Sequence, residues 1–227
     1  MKKVAVFDID GTVFRSSVII ALVEELIKRG VFPKQAKDIY EKRYLAWLNR
    51  EGEYQEYIDA LVESFVLHVR GVPYGTVADI GKKIMEEHGK RLYRYTRDLI
   101  KDLKKEGYYL LAISQSPKLV LDPLCKELGF DKTYGRIYEI GPQDEFTGEV
   151  ADVHLIANKA NIVRRAVEKE GLTLTGSIGV GDTEGDIPML EMVERAICFN
   201  PNQNLYTYAK RMGWEVVVER KDVIYKL

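Results

Sequence analysis

The chain has 227 residues, 46% of them apolar and 30% charged, enough for one domain with a large insertion or for two small ones. Its 34 basic and 35 acidic residues leave a net charge of −1, so no basic surplus exists to displace counterions and a general polyanion binder is excluded. Two distant cysteines, Cys125 and Cys198, exclude a disulfide framework and a zinc knuckle, and no apolar run approaches the ~18 residues of a membrane span.

The first apolar run is Val4-Ala5-Val6-Phe7, ending at Asp8. Behind Lys2-Lys3 it is too short for the apolar region of a signal peptide, which leads to the expectation of a soluble, cytoplasmic protein. Residues 17–90 then show helical periodicity in four stretches. Ile19, Ile20, Val23, Leu26 and Ile27 mark the first, and Ile39, Tyr40, Trp47 and Leu48 the second. Tyr57, Ile58, Leu61, Val62, Phe65 and Val66 mark the third, and Val77, Ile80, Ile84 and Met85 the fourth. This segment carries 12 basic and 12 acidic residues between Arg15 and Lys90, a poor balance for clamping nucleic acid.

A further helix over 91–107 holds Leu99, Ile100 and Leu103, with Gly107 as its stop signal. The second buried strand follows, Tyr108 to Ile113, ending at Ser114. Val120, Leu121, Leu124, Cys125 and Leu128 form the next helical stripe, ended by Gly129, and Pro117 suits its first turn. Ile156, Ile162, Val163 and Val167 mark another helix, ended by Gly171. The third buried strand, Ser177 to Val180, ends at Gly181-Asp182 and leads into a helix over Ile187 to Val193. Weaker strands fall at Arg136 to Ile140, Ala196 to Phe199 and Glu215 to Val218. Buried runs alternating with helices predict an α/β fold with a parallel sheet and right-handed crossovers. Residues 1–16 and 91–227 form the predicted core, and 17–90 an inserted helical domain.

Ligands in such folds sit beyond the carboxyl ends of the strands, where the polar residues here collect. Asp8 and Asp10 end the first strand, and Gly11 permits the turn that lets both reach one site; taken alone, the segment reads equally well as an ordinary Asx turn. Ser114 with the backbone after it can hold an anion, although by itself it is first a helix cap. Gly181-Asp182-Thr183-Glu184-Gly185-Asp186 offers two more carboxylates of the hard-oxygen type that suits Mg²⁺, or a capped acidic loop. Lys159 is a solvated lysine or a point charge aimed at phosphate. Together, four carboxylates at one rim would raise one another's pKa values unless a cation were present. A phosphoryl group, which binds metal, lysine and hydroxyl at once, is the natural ligand.

In order and spacing, Asp8-Ile9-Asp10-Gly11-Thr12, Ser114, Lys159 and the 181–186 loop resemble the four motifs of the haloacid dehalogenase-like hydrolases. Ile113-Ser114-Gln115-Ser116-Pro117, Phe146-Thr147-Gly148-Glu149, Ile187-Pro188-Met189-Leu190, Asn200-Pro201-Asn202 and Gly213-Trp214 are similar to the phosphoserine-phosphatase-like branch. The likeness covers residues 1–14 and about 91–218, and the insert matches in position as that branch's cap. The resemblance implies a Rossmann-like parallel-sheet core with an inserted four-helix cap, and a Mg²⁺-dependent phosphomonoesterase acting on a small phosphorylated metabolite. By the same resemblance Asp8 is the nucleophile and a metal ligand. Asp10 is the acid and base, ligating metal through its carbonyl. Thr12 braces the loop and, with Ser114, the Gln115 backbone and Lys159, belongs to the phosphate-binding group. Asp182 and Asp186 complete the metal set, and Lys159 neutralises charge.

Asp10 separates phosphoryl chemistry from dehalogenation, since the dehalogenating members lack an acid there. Phosphoserine phosphatases carry Ser where this chain has Gly11, and a substrate-binding Glu where it has Ser17. Both departures put phosphoserine in doubt. Arg15 is read as an exposed arginine, Arg50, Glu53 and Arg70 are left unranked, and His68, His88 and His154 as structural or surface histidines. A phosphotransferase built on the same aspartyl-phosphate and a non-catalytic phosphate-binding regulator stand as rival readings. A receiver-like signalling domain is disfavoured by the insert and by Asp10. The oligomeric state stays open.

Overall fold

Val4, Ala5, Val6 and Phe7 are fully buried, and the strand they form runs through the middle of a sheet. A computed structural model describes residues 1–152 and 158–227. Its strands are β1 (Lys3–Asp8), β2 (Tyr109–Pro117), β3 (Lys132–Ile140), β4 (Phe146–Ala151), β5 (Thr173–Gly181), β6 (Arg195–Phe199), β7 (Glu215–Arg220) and β8 (Val223–Lys226). They lie in the order β4-β3-β2-β1-β5-β6-β7-β8. From β1 the chain crosses to β2 on one side and later to β5 on the other. The carboxyl end of β1 is therefore a switch point, where a crevice opens between diverging connections.

The sheet is mixed rather than wholly parallel. β3–β4 and β7–β8 pair antiparallel, while the inner pairs are parallel as expected. Residues 141–145 alone separate β3 from β4, and Lys221 and Asp222 alone separate β7 from β8. Links this short can only turn the chain back on itself, and Asp144 and Lys221 adopt positive φ to do so. β4 and β8 have no counterpart among the predicted strands because neither is a continuous apolar run: one contains Thr147-Gly148, and the other is largely exposed.

The insert supplies α1 (Val18–Lys28), α2 (Glu41–Leu48), α3 (Tyr54–Val69) and α4 (Tyr74–His88); the helices expected after it are α5 (Arg94–Lys105), α6 (Lys118–Leu128), α7 (Lys159–Glu170) and α8 (Ile187–Leu190), and α9 (Gln203–Met212) has no counterpart among the expected helices. Pro117 precedes α6 instead of opening it, with φ −58° and ψ 122°. The helix expected through Val193 stops at Leu190, because the chain must reverse before β6 begins at Arg195. The second stretch of the insert is divided. Lys34–Ile39 is a 3-10 turn and α2 starts only after Tyr40, whose buried ring lies 6.0 Å from that of Tyr57. Ile156 and His154 lie outside the described residues.

Alternation along β1 sends Val4 and Val6 to one face and Ala5 and Phe7 to the other. The first face packs on Ile162, Val163 and Leu205. The second is continuous with the insert through Leu22, Leu26, Leu61 and Phe65. Two chain crossings join the insert to the sheet, side by side: the Arg15 amide donates to the Arg91 carbonyl at 2.8 Å, and the Tyr93 amide to the Val13 carbonyl at 3.0 Å. A second attachment is made by Phe65 on α3, whose ring meets Tyr138 of β3 edge-on at 5.0 Å.

Phe65 is therefore where the insert's interior meets the sheet. Phe65→Ala is expected to destabilise the protein by about 3–5 kcal/mol, measured by urea unfolding. A loss below about 1 kcal/mol would show that the insert does not share the sheet's core.

Candidate active site

β1 and β5 run parallel, with Phe7 beside Val180, so Asp8 and Asp182 emerge together at adjacent strand ends. Gly11 makes the next turn possible. It sits at φ +76°, and a Cβ there would lie 2.1 Å from Asp182 Oδ2. Gly181 does the same for Asp186, whose carboxyl group would be 2.5 Å from an added Cβ. Gly11 thus lets the two acidic loops approach more closely than a side chain would permit, and Gly181 lets the second loop fold back on itself.

Lys159 reaches the same point from α7. Asn158 caps that helix, its side chain accepting from the Ala160 amide at 2.9 Å, so Lys159 occupies the first turn. Its Nζ lies 2.5 Å from Asp8 Oδ1 and 2.5 Å from Asp186 Oδ1, and all three side chains are buried. Asp186 Oδ2 accepts from the amides of Asp182 (2.9 Å) and Thr183 (3.1 Å), which anchors it in the loop. The Thr12 hydroxyl donates to Asp182 Oδ1 at 3.2 Å, and Thr96 holds the Thr12 carbonyl from α5.

Asp8, Asp182 and Asp186 each offer a carboxylate oxygen to one point, with those atoms within 4.8 Å of one another. Asp8 Oδ2 is buried and, among the described residues, has no hydrogen-bond partner. Burial pushes the Asp8 carboxyl up to about 7; Lys159 opposes this, and Asp186 and Asp10 reinforce it. Asp182 is held well above the carboxylate range by burial and by Asp8 and Asp186. Although burial works against its charge, Lys159 is held above the usual lysine range by Asp186 and Asp8. One ammonium among three converging carboxylates leaves excess negative charge in low dielectric. A free oxygen, hard donors and that excess are what a divalent cation needs.

Asp10 stands apart from this trio. Its Oδ1 accepts from the Val18 amide at 2.6 Å and its Oδ2 from the Ser114 hydroxyl at 2.5 Å. Ser114 Oγ in turn accepts from the Ser116 amide at 2.9 Å. In the turn beyond the end of β1, the Asp10 carboxylate thus faces β2 and the start of α1. Thr12 and Ser114, both expected among the phosphate-binding residues, are fully buried and face Asp182 and Asp10. Gln115 and Ser116 line the open space instead.

That space is a cavity of about 310 Å³ bounded by Asp8, Asp10, Lys159 and Asp182 on the sheet side. Across it stand Tyr54, Gln55, Ile58, Asp59 and Val62, the spacing of one face of α3. Helical periodicity puts Ile58 and Val62 on the apolar stripe of α3 and carries no mark for Tyr54, Gln55, Asp59 or Arg136; the one available signal is a stripe wider than the helix's core needs. Burial, with Asp10 and Asp182 nearby, keeps the Tyr54 phenol protonated. Ser17, at the position of the branch's glutamate, also faces the cavity. Arg50 and Glu53 line an adjoining space of about 460 Å³. Arg15 lies over the Tyr93 ring, Arg70 donates to the Thr147 carbonyl, and His68 bonds the Ser64 carbonyl on its own helix.

A family model for the haloacid dehalogenase-like hydrolases matches residues 5–191. The chain belongs to that family. A histidinol-phosphatase of Neisseria meningitidis serogroup C is 23% identical over 228 residues, spanning 96% of this chain and 99% of its own length. Among solved structures, a protein of unknown function from Bordetella pertussis Tohama I is similar with a TM-score of 0.72 at 19% identity, covering 95% of this chain and 98% of that one. A phosphoserine phosphatase captured as a phospho-aspartyl intermediate analogue gives 0.64 at 21% identity, covering 97% and 95%. These likenesses show a shared α/β fold. No described helix is long and apolar enough to cross a membrane.

The turn after β1 approaches Asp182 this closely because Gly11 has no side chain. Gly11→Ala is expected to displace Asp182 and to cost about 1–3 kcal/mol of stability, read by urea unfolding and a crystal structure. An unmoved Asp182 at full stability would show that the loops are not this closely apposed.

Proposed function

We propose that this hydrolase is a phosphomonoesterase that acts on a small phosphorylated metabolite through an aspartyl-phosphate on Asp8. The observation that carries the reading is Asp8 itself: a buried carboxylate with one oxygen held by Lys159 and the other unpartnered. A carboxylate attacks an anionic phosphorus only where the repulsion between them is masked. Lys159 masks part of it. Asp8, Asp182 and Asp186 would hold Mg²⁺, which when bound would neutralise the rest and polarise the phosphoryl oxygens.

Asp8 then displaces the alcohol from phosphorus, forming the acyl phosphate as the ester P–O bond breaks. Asp10 gives its proton to the departing alkoxide and takes one back from the water that hydrolyses the acyl phosphate. The Ser114 hydroxyl, now on Asp10, and the amides beyond it supply donors at the end of β2 for phosphate oxygens. Residues 17–90 act as a cap over residues 1–16 and 91–227, with α3 excluding bulk water from the reacting groups. Positioning and electrostatics, not covalent rearrangement of the protein, carry most of the rate.

Two relatives named as phosphatases differ in substrate by those names, a histidinol phosphate ester and phosphoserine. Gly11 and Ser17 weigh against phosphoserine here.

Three measurements test the reading. Asp8→Asn is expected to abolish phosphate release from p-nitrophenyl phosphate while circular dichroism stays unchanged; near-full activity would remove Asp8 as nucleophile. Chelator is expected to abolish turnover and Mg²⁺ to restore it. Independently of activity, Mg²⁺ is expected to raise the wild-type Tm with concentration, and Asp182→Asn to reduce that rise. Equal stabilisation of both proteins would place the cation elsewhere.

A further inference from the structure

With Lys159 committed to two carboxylates, one cation on the cavity wall has no counter-charge. Arg136 lines the same cavity from β3, and among the described residues it makes no ion pair. Its Nη2 donates to Gln115 Oε1 at 3.3 Å, and its Nε is buried without a partner. The adjacent Tyr138 hydroxyl, also buried, does not meet it in hydrogen-bond geometry. An unpaired buried N–H is costly, and a guanidinium presents its donors in a fork that matches a carboxylate or a phosphate. A neutral amide is a weak substitute for such a partner.

Position decides which anion. Arg136 pairs with Pro117, so it flanks the end of β2 on the side away from β1. β3 lies two strand spacings from β1, about 9–10 Å. A phosphoryl group on Asp8 is served by the β1 and β5 ends and by Lys159; Arg136 is offset from that point along the cavity. The same cavity is lined by the apolar side chains of Ile58 and Val62 on the facing helix, suited to a carbon skeleton. Asp59, on the same helix, is exposed and already accepts from Gln55 at 2.8 Å.

Resting on the phosphomonoesterase reading, we propose that Arg136 is a specificity-determining residue that binds a second anionic group, a carboxylate or a further phosphate, carried by the alcohol portion of the substrate. The substrate class is then phosphate monoesters of hydroxy acids or of phosphorylated alcohols, not those of neutral or amino alcohols.

Matched ester pairs test this. Phosphoglycolate is compared with ethyl phosphate, 3-phosphoglycerate with glycerol 3-phosphate, and 1,3-propanediol bisphosphate with propyl phosphate; phosphoethanolamine is the cationic control. At least one anionic ester is expected to exceed its neutral twin in kcat/KM by about tenfold or more, mainly through KM. Which pair shows it identifies carboxylate or phosphate as the group held. Arg136→Gln is expected to erase that ratio, and Arg136→Lys to retain part of it. A wild-type enzyme that releases phosphate equally from both members of every pair, or that prefers phosphoethanolamine, overturns the Arg136 assignment and leaves the phosphatase reading standing. So does a ratio that survives Arg136→Gln. No release from any of the seven esters overturns the phosphatase reading, and this inference with it.

Discussion

The ammonium of Lys159, held between Asp8 and Asp186 at 2.5 Å each, is the contact on which the site's geometry rests. Carboxylates gathered in a dry pocket repel one another, and the repulsion is not screened by water. One buried lysine offsets part of it and fixes the direction of one Asp8 oxygen. The other oxygen has no hydrogen-bond partner among the described residues. Removing the lysine would leave two buried carboxylates without compensation, which folded proteins tolerate poorly. The interaction therefore fixes the geometry of the acidic cluster.

Three parts of the fold converge to make that contact. β1 and β5 are neighbours with parallel ends, so Asp8 and Asp182 need no long side chains to meet. Gly11 leaves room for Asp182 of the neighbouring loop, and Gly181 leaves room for Asp186 within its own. Asn158 starts α7 at the position that places Lys159 in its first turn. Each is a backbone device, and none is visible in the charge of the residues it positions.

The insert closes the other side. Its interior is continuous with one face of the sheet, so α3 is held against β3 and β4 as well as by the paired crossings at Val13–Arg15 and Arg91–Tyr93. One face of α3 serves this core while the adjacent face, from Tyr54 to Val62, looks onto the cavity. Arg136 stands on the core wall of the same cavity. The sheet end thus carries the carboxylates and Lys159, and α3 and β3 wall the space around them.

Much of this was legible from the chain alone. Continuous apolar runs marked β1, β2 and β5, because strands buried on both faces leave no room for alternation. The polar residues that end those runs marked Asp8, Asp10, Ser114 and Asp182, since ligands in parallel sheets gather where strands stop. Periodicity marked the helices of the insert, for which one buried face is enough of a signal. Tertiary structure alone decided the rest. The antiparallel edges depend on link length and positive φ, not on hydrophobicity. Thr12 and Ser114 turned inward to Asp182 and Asp10, because a hydroxyl near several carboxylates bonds to whichever the backbone brings within reach. Ile58, Val62 and Arg136 were indistinguishable in sequence from core and surface residues. What a side chain faces is set by contacts distant in sequence, and a linear pattern records only the chain's own period.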